Sequence, residues 1–293
     1  MNLQNFFRES VDKLKKSSPS AELDCQVLFS FILKKDRGWL FAHPDFEINP
    51  ENENKINELL NRRLEGEPIA YLTNNKEFYG LDFYVDKRVL IPRPESEWLV
   101  ERSIKYLESC IKYKKLPKVL DLGTGTGNII ISVAKSPSSI HNPLTTFYAS
   151  DISKEALDVA RKNAKYHSVK INFIESDLFK NIDQDIKFNL IIANLPYVPK
   201  KVDSEKLIVD SIKYEPQNAI FANNNGAEII KRFLIEAKNY LTSNGQILIE
   251  LDPRNAKIIK ICAEDIFSSA NLNLTKDLAG FDRYLTVTQS NQA

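Results

Sequence analysis

The 293-residue chain holds few of the residues that build metal, disulfide or thiol chemistry: three cysteines, three histidines and one methionine. Cys25, Cys110 and Cys262 are odd in number, far apart and without a CxxC pair. That excludes a disulfide framework, and no zinc-ligand spacing is present. Buried, reduced thiols are expected, as in a cytosolic protein. Long apolar runs are missing too. The N-terminal stretch MNLQNFFRESVDKLKKSS breaks its apolar residues with charges, which reads as neither signal peptide nor membrane span. No sign of charge prevails: Lys+Arg 40 against Asp+Glu 39 leaves +1, without the basic footprint of a chain built to coat nucleic acid. What is present suits a packed, water-soluble protein of two domains. The length exceeds the usual single domain, and the apolar fraction of 43% is ample for a core.

The texture divides the chain. Up to residue 75 the apolar residues keep helical spacing: Phe6, Val11 and Leu14, then Leu23, Val27, Leu28 and Phe31. A third helix is expected from about Asn52 to Leu64, with Ile56, Leu59 and Leu60 together, after a helix-stopping FEINPENEN. From Phe78, EFYGLDFYVDKRVLIP alternates like a hairpin turning near Gly80. Pro92-Arg93-Pro94-Glu95-Ser96 is expected as an extended loop, because proline disfavours helix in the residue before it. A helix from about Glu97 to Tyr113 should follow. Beyond 116 the strands KVLDLG, TFYAS, INFIES, FNLIIAN and GQILIEL alternate with helical stretches, and Ser153 is placed to cap the helix running to about Tyr166. This implies an open, mostly parallel α/β sheet, whose ligands bind at the carboxyl ends of its strands. The domains are read as 1–75 (helical), 76–115 (hairpin and connecting segment) and 116–293 (the α/β domain).

Four strand ends carry candidate chemistry. Asp121-Leu122-Gly123-Thr124-Gly125-Thr126-Gly127 is a GxGxG turn after a strand, lacking the sixth-position glycine of the dinucleotide fingerprint, which favours S-adenosylmethionine over NAD. Asp151, just past the second strand, can accept from both ribose hydroxyls or serve as a helix cap. After the third strand, Asp177 can accept from an adenine amino group while Leu178 packs on the ring, or the pair can be a surface turn. Asn194-Leu195-Pro196-Tyr197 follows FNLIIA, and its proline keeps the chain extended. The Asn194 oxygen and the Leu195 carbonyl could grip the two hydrogens of a flat amino group, with Tyr197 stacked on its plane. No Ser/His, Cys/His or carboxylate pair is found, and positioning alone can carry methyl transfer to such a nitrogen.

With these segments in view, the chain resembles the HemK/PrmC family, the protein-(glutamine-N5) methyltransferases of class-1 peptide-chain release factors. The resemblance runs through PIAYLTNNKEFYGLDFYVDKRVLIPRPESEWLVE, DLGTGTGN, SDLF, NLPYVP, YEPQNAIFA and LAGFDRYLTV. It implies a class I Rossmann-like methyltransferase, with a mostly parallel seven-stranded sheet and a small N-terminal helical bundle that recognises the release factor. It implies that Gly123, Thr124, Gly125, Thr126, Gly127, Asp151, Asp177, Leu178 and Asn194 bind S-adenosylmethionine. Asn194, Leu195, Pro196 and Tyr197 then hold the glutamine of a Gly-Gly-Gln loop, with Asn194, Pro196 and Tyr197 as the catalytic set. Arg93, Glu95 and Glu215 are expected to shape the site. No metal, membrane or stable nucleic-acid partner is expected, and the chain is taken as a cytoplasmic monomer. One residue departs from the usual NPPY: Leu195 lacks the fixed φ of proline. NLPY is also typical of ribosomal-RNA adenine dimethyltransferases, so N6-adenine methylation of RNA or DNA is the rival reading. In those enzymes the helical domain follows the catalytic one, and here the helices come first. A scaffold that binds the cofactor without turnover is the third.

Overall fold

A computed structural model describes residues 2–112, 116–137, 144–199, 210–222 and 227–289. The described residues fall into two compact units: 2–75 with 210–214, and the remainder.

The first unit is helical: α1 Leu3–Leu14, α2 Ala21–Leu33, α3 Arg37–Ala42, α4 Pro50–Leu64 and α5 Ile69–Thr73. Short polar side chains start three of them, with Asn2, Asp36 and Asn49 each accepting from a backbone N–H three residues on. Phe6, Leu14, Leu28, Phe29, Ile56 and Leu60 meet in its core. Three expectations need correction. Part of the supposed helix-stopping sequence is the first turn of α4, because Pro50 sits at N1, where a missing N–H costs nothing and the proline φ is already helical. Leu23 is exposed, whereas Asp24, Cys25, Leu28 and Phe29 point inward; α2 is apolar nearly all round, so periodicity could not fix its face. The short α3 and α5 were not anticipated. Asp24 is buried and accepts from Ser18, Ser20 and Arg63 Nε, the last at 2.7 Å.

In the second unit, β1 Lys76–Phe78 and β2 Leu81–Phe83 form the expected hairpin across Tyr79-Gly80, both with positive φ, as a type I′ turn requires. Arg93 is extended, but Pro94–Ser96 is a single 3-10 turn leading into α6 Glu97–Lys112, so PRPES is not a wholly extended loop. Proline restrains the residue before it, while its own φ suits a helical start. Tyr113, the expected helix end, lies outside the described residues.

The main sheet has seven strands: β3 Lys118–Leu122, β4 Thr146–Asp151, β5 Asn172–Glu175, β6 Phe188–Ala193, β9 Leu241–Glu250, β10 Asn271–Lys276 and β11 Asp282–Thr288. A two-residue pair, β7 Val198–Pro199 with β8 Phe221–Ala222, stands apart from it. The order is β10-β11-β9-β6-β3-β4-β5, parallel except for β11. Leu190 and Ile192 join one core with α6 and α7 Asn128–Lys135, while Ile191 and Ala193 join the other with α10 Glu228–Ala237 and α11 Ala256–Ile266. Strands covered on both faces read as apolar runs, which is why FNLIIA does not alternate. The two remaining helices are α8 Lys154–Tyr166 and the single turn α9 Gln217–Ile220. Cys25 and Cys110 are buried thiols and Cys262 is half-buried, so the expectation of burial fails at the third. No described helix is long and apolar enough to cross a membrane.

Candidate active site

From β3 the chain moves outward through β4 and β5, then returns across β3 to β6. The switch point between β3 and β6 is where such sheets bind ligands. A cavity of ≈ 250 Å³ opens there, lined at the four strand ends by Gly123, Gly125, Asp151, Asp177, Leu178, Asn194, Leu195 and Pro196. Arg88, Val89, Leu90, Pro216, Asn218 and Ala219 close it from the side. Thr124, Thr126, Gly127 and Tyr197 lie off this lining.

At the end of β3 the N–H groups of Gly123 and Thr124 both donate to the Ser150 carbonyl at the end of β4. Gly123 has φ +75°, and a Cβ there would come within 3.0 Å of Leu195 Cδ2 and 3.6 Å of the Asn194 carbonyl. A side chain at 123 would therefore press on the end of β6. Asp121 is buried and accepts from Thr124 Oγ1 at 2.6 Å. Burial, reinforced by the nearby Asp151 charge, pushes its carboxyl up to about 7 against that hydrogen bond.

Asp151 is the last residue of β4. Its Oδ2 accepts from Gly125 N and its Oδ1 from Ser153 N, both at 2.9 Å. Burial raises its pKa, and backbone hydrogen bonds partly oppose the rise. It is not the helix cap: Ser153 Oγ accepts from Ala156 N and starts α8. Asp177 is half-exposed and paired with Arg232 at 3.2 Å. Leu178 has φ 51° and is buried in the core while lining the cavity.

Asn194 follows β6. Its Nδ2 donates to Ser96 Oγ at 2.8 Å and to Glu250 Oε2 at 3.1 Å. The NH2 end of the amide is thereby turned toward these two acceptors, which leaves Oδ1 on the other side as an acceptor. Tyr197 donates its hydroxyl to Glu250 Oε1 at 3.0 Å. Burial raises the Tyr197 pKa, helped by the Glu250 charge, and keeps the phenol protonated. Leu195 is 4% exposed and packs in the core.

The sequence pointed to Glu215 only through its segment. Its Oε1 accepts from Arg93 Nη2 at 2.6 Å and its Oε2 from Ile91 N at 3.1 Å. This buried carboxylate ties the 88–93 stretch to the 215–219 stretch, the two segments that wall the cavity from the side. Ser96 and Glu250 were missed altogether. The available signal was a lone glutamate inside the apolar run GQILIEL.

Residues 6–73 match the PrmC N-terminal domain and residues 114–280 a methyltransferase domain. A release factor glutamine methyltransferase from Rhodopirellula baltica is 35% identical over 98% of this chain and 93% of its own length. Another from Leptospira interrogans is 36% identical over 94% and 93%. A methyltransferase from Pyrococcus furiosus, 17% identical over 78% of this chain and 98% of that one, shares the fold with a TM-score of 0.51. With relatives this similar matched almost end to end, the chain belongs to the family of release factor glutamine methyltransferases.

Proposed function

We propose that this chain transfers a methyl group from S-adenosylmethionine to the side-chain amide nitrogen (N5) of the glutamine in the Gly-Gly-Gln motif of class-1 peptide-chain release factors. The state of Asn194 carries the reading. Its NH2 end is held from behind by Ser96 and Glu250, and its oxygen is left as an acceptor at a strand end beside the cavity. A neutral amide nitrogen is a poor nucleophile because its lone pair is delocalised. Asn194 Oδ1 and the Leu195 carbonyl take its two hydrogens and turn the nitrogen to the donor. Pro196 keeps that backbone extended, and the Tyr197 ring, tethered through Glu250, lies against the amide plane. Positioning of this kind is worth up to ~7–11 kcal/mol in ideal cases.

Bound S-adenosylmethionine supplies an electrophilic methyl group on a sulfonium. The residues present fit it. A Cβ at Gly125 would meet nothing within 4 Å, so the turn borders open space where a ligand can approach the backbone. Gly123 and Gly125 line that approach, with Thr124, Thr126 and Gly127 fixing the turn. Asp151 keeps a second lone pair on each oxygen for the ribose hydroxyls, Asp177 meets the adenine amino group, and Leu178 packs on the ring. The helical unit grips the body of the release factor. The chain acts in the cytoplasm as a monomer, without a stable nucleic-acid partner.

The test is mass spectrometry of a recombinant release factor incubated with the protein and S-adenosylmethionine. One added methyl on the Gly-Gly-Gln glutamine is expected. A folded factor left unmodified while the cofactor binds would overturn the reading and make an RNA adenine the next substrate to try.

A further inference from the structure

We infer that Glu250 is a positioning residue: with Ser96, it sets which end of the Asn194 amide faces the substrate. The inference rests on the function proposed above and concerns the same site. In β9, Ile249 pairs with Ala193 of β6, so Glu250 and Asn194 leave adjacent parallel strands side by side. Glu250 is 1% exposed, and its oxygens are met by protein donors. Oε2 accepts from Ser96 Oγ at 2.7 Å and from Asn194 Nδ2 at 3.1 Å, while Oε1 accepts from the Tyr197 hydroxyl at 3.0 Å.

The chemistry allows one orientation. Ser96 gives its only hydrogen to Glu250, so toward Asn194 it is an acceptor. Glu250 faces three donors, Ser96 Oγ, Asn194 Nδ2 and the Tyr197 hydroxyl, and so serves here as an acceptor only. An Asn194 flipped by half a turn would set its oxygen against Glu250 Oε2, and Ser96 could answer that oxygen only by withdrawing its hydrogen from the buried Glu250, a costly arrangement. The amide is thus locked with Oδ1 outward. Tyr197 is tied to the same side chain, so Glu250 holds both of the motif side chains that meet the glutamine by their polar or ring groups, Asn194 and Tyr197. Glu250 meets neither substrate nor cofactor and works through Asn194 and Tyr197.

Four variants assayed on the release factor, with kcat, KM and cofactor binding measured separately, test this. Glu250→Leu removes both acceptor oxygens; kcat is expected to fall about 100-fold, the size seen when one preorganised hydrogen-bonding group is lost, with cofactor binding unchanged. Glu250→Gln should lose less than about 10-fold, because its oxygen can face Asn194 while its NH2 turns to a Tyr197 hydroxyl that now accepts. Asn194→Asp should be nearly inactive, two acceptors now facing each other across the site. The double variant Asn194→Asp/Glu250→Gln restores a donor opposite an acceptor, and should regain at least about 10-fold over Asn194→Asp alone. A structural role for Glu250 gives no such rescue. No regain, with Glu250→Leu folded and within about threefold of wild-type kcat, overturns the inference. A wild-type protein that leaves the factor unmethylated overturns the proposed function itself, and the two failures are distinct.

Discussion

Exchanging Asp151 for asparagine separates the two things that carboxylate does. Each oxygen accepts one backbone N–H at 2.9 Å, from Gly125 and from Ser153. Asparagine keeps the shape but has one oxygen. Whichever way its amide turns, an NH2 faces one of those backbone donors, and a hydrogen bond to a charged acceptor, worth ~1.5–3 kcal/mol, is lost. In the free protein an opposing term exists. Burial raises the Asp151 pKa, which means that the folded state bears a cost for keeping the charge, and a neutral amide removes that cost. The two contributions have opposite sign, so the Tm of the free protein should fall by less than the lost hydrogen bond alone would dictate. Cofactor binding has no such offset. One ribose hydroxyl loses a charged acceptor, again ~1.5–3 kcal/mol, and the Kd for S-adenosylmethionine should rise about 10- to 100-fold. Titration calorimetry with the cofactor, beside thermal unfolding without it, reads both quantities. A Kd within about threefold of wild type would refute the ribose assignment. A collapsed Tm would show that Asp151 serves the fold of the turn first.

Three further outcomes follow from the geometry. Asp121→Asn should flatten the pH dependence of stability. The folded Asp121 pKa stands at about 7 against 3.8, so the folded state holds its proton more tightly, and wild-type stability falls as pH rises between those values. The variant should gain up to ~4 kcal/mol over wild type near pH 8 and nothing near pH 3, by urea unfolding. Gly123→Ala should cost ~1–2 kcal/mol for a side chain at positive φ, and should lower kcat through the 3.0 Å approach to Leu195; an unaffected kcat would show that the end of β6 can give way. Arg63→Met strands the buried Asp24 charge, so the helical unit should lose ~3–5 kcal/mol. Trp39 lies in that unit and Trp98 in the other, so fluorescence of a Trp98→Phe background follows the helical unit alone, and an unchanged midpoint would contradict the burial of the pair.

The parts legible in the sequence are those whose physics is local. A glycine turn after an apolar run, a serine before a helix and an Asn-X-Pro at a strand end each carry their signal within a few residues. Accordingly β3, the Ser153 cap and the strand before Asn194 stand where the spacing put them. The face of α2 was not legible because its apolar residues surround the helix, and the side that turns inward is set by distant partners: Phe6, Ile56 and Leu60 against Leu28 and Phe29, and Arg63 against Asp24, 39 positions away. Glu250 is the sharper case. A lone glutamate in GQILIEL stands out, but nothing within the run distinguishes one that ends a strand in solvent from one that ends it against Asn194. The distinction arises from the β6–β9 register, which sets residue 250 beside residue 194, and from a 3-10 turn that brings in Ser96 from 98 positions away. A motif read alone names the side chain that meets the substrate, but leaves open which way that side chain is turned. Asparagine has a donor end and an acceptor end of nearly the same shape, so the motif acquires its chemical sense only from a buried carboxylate that the motif does not contain.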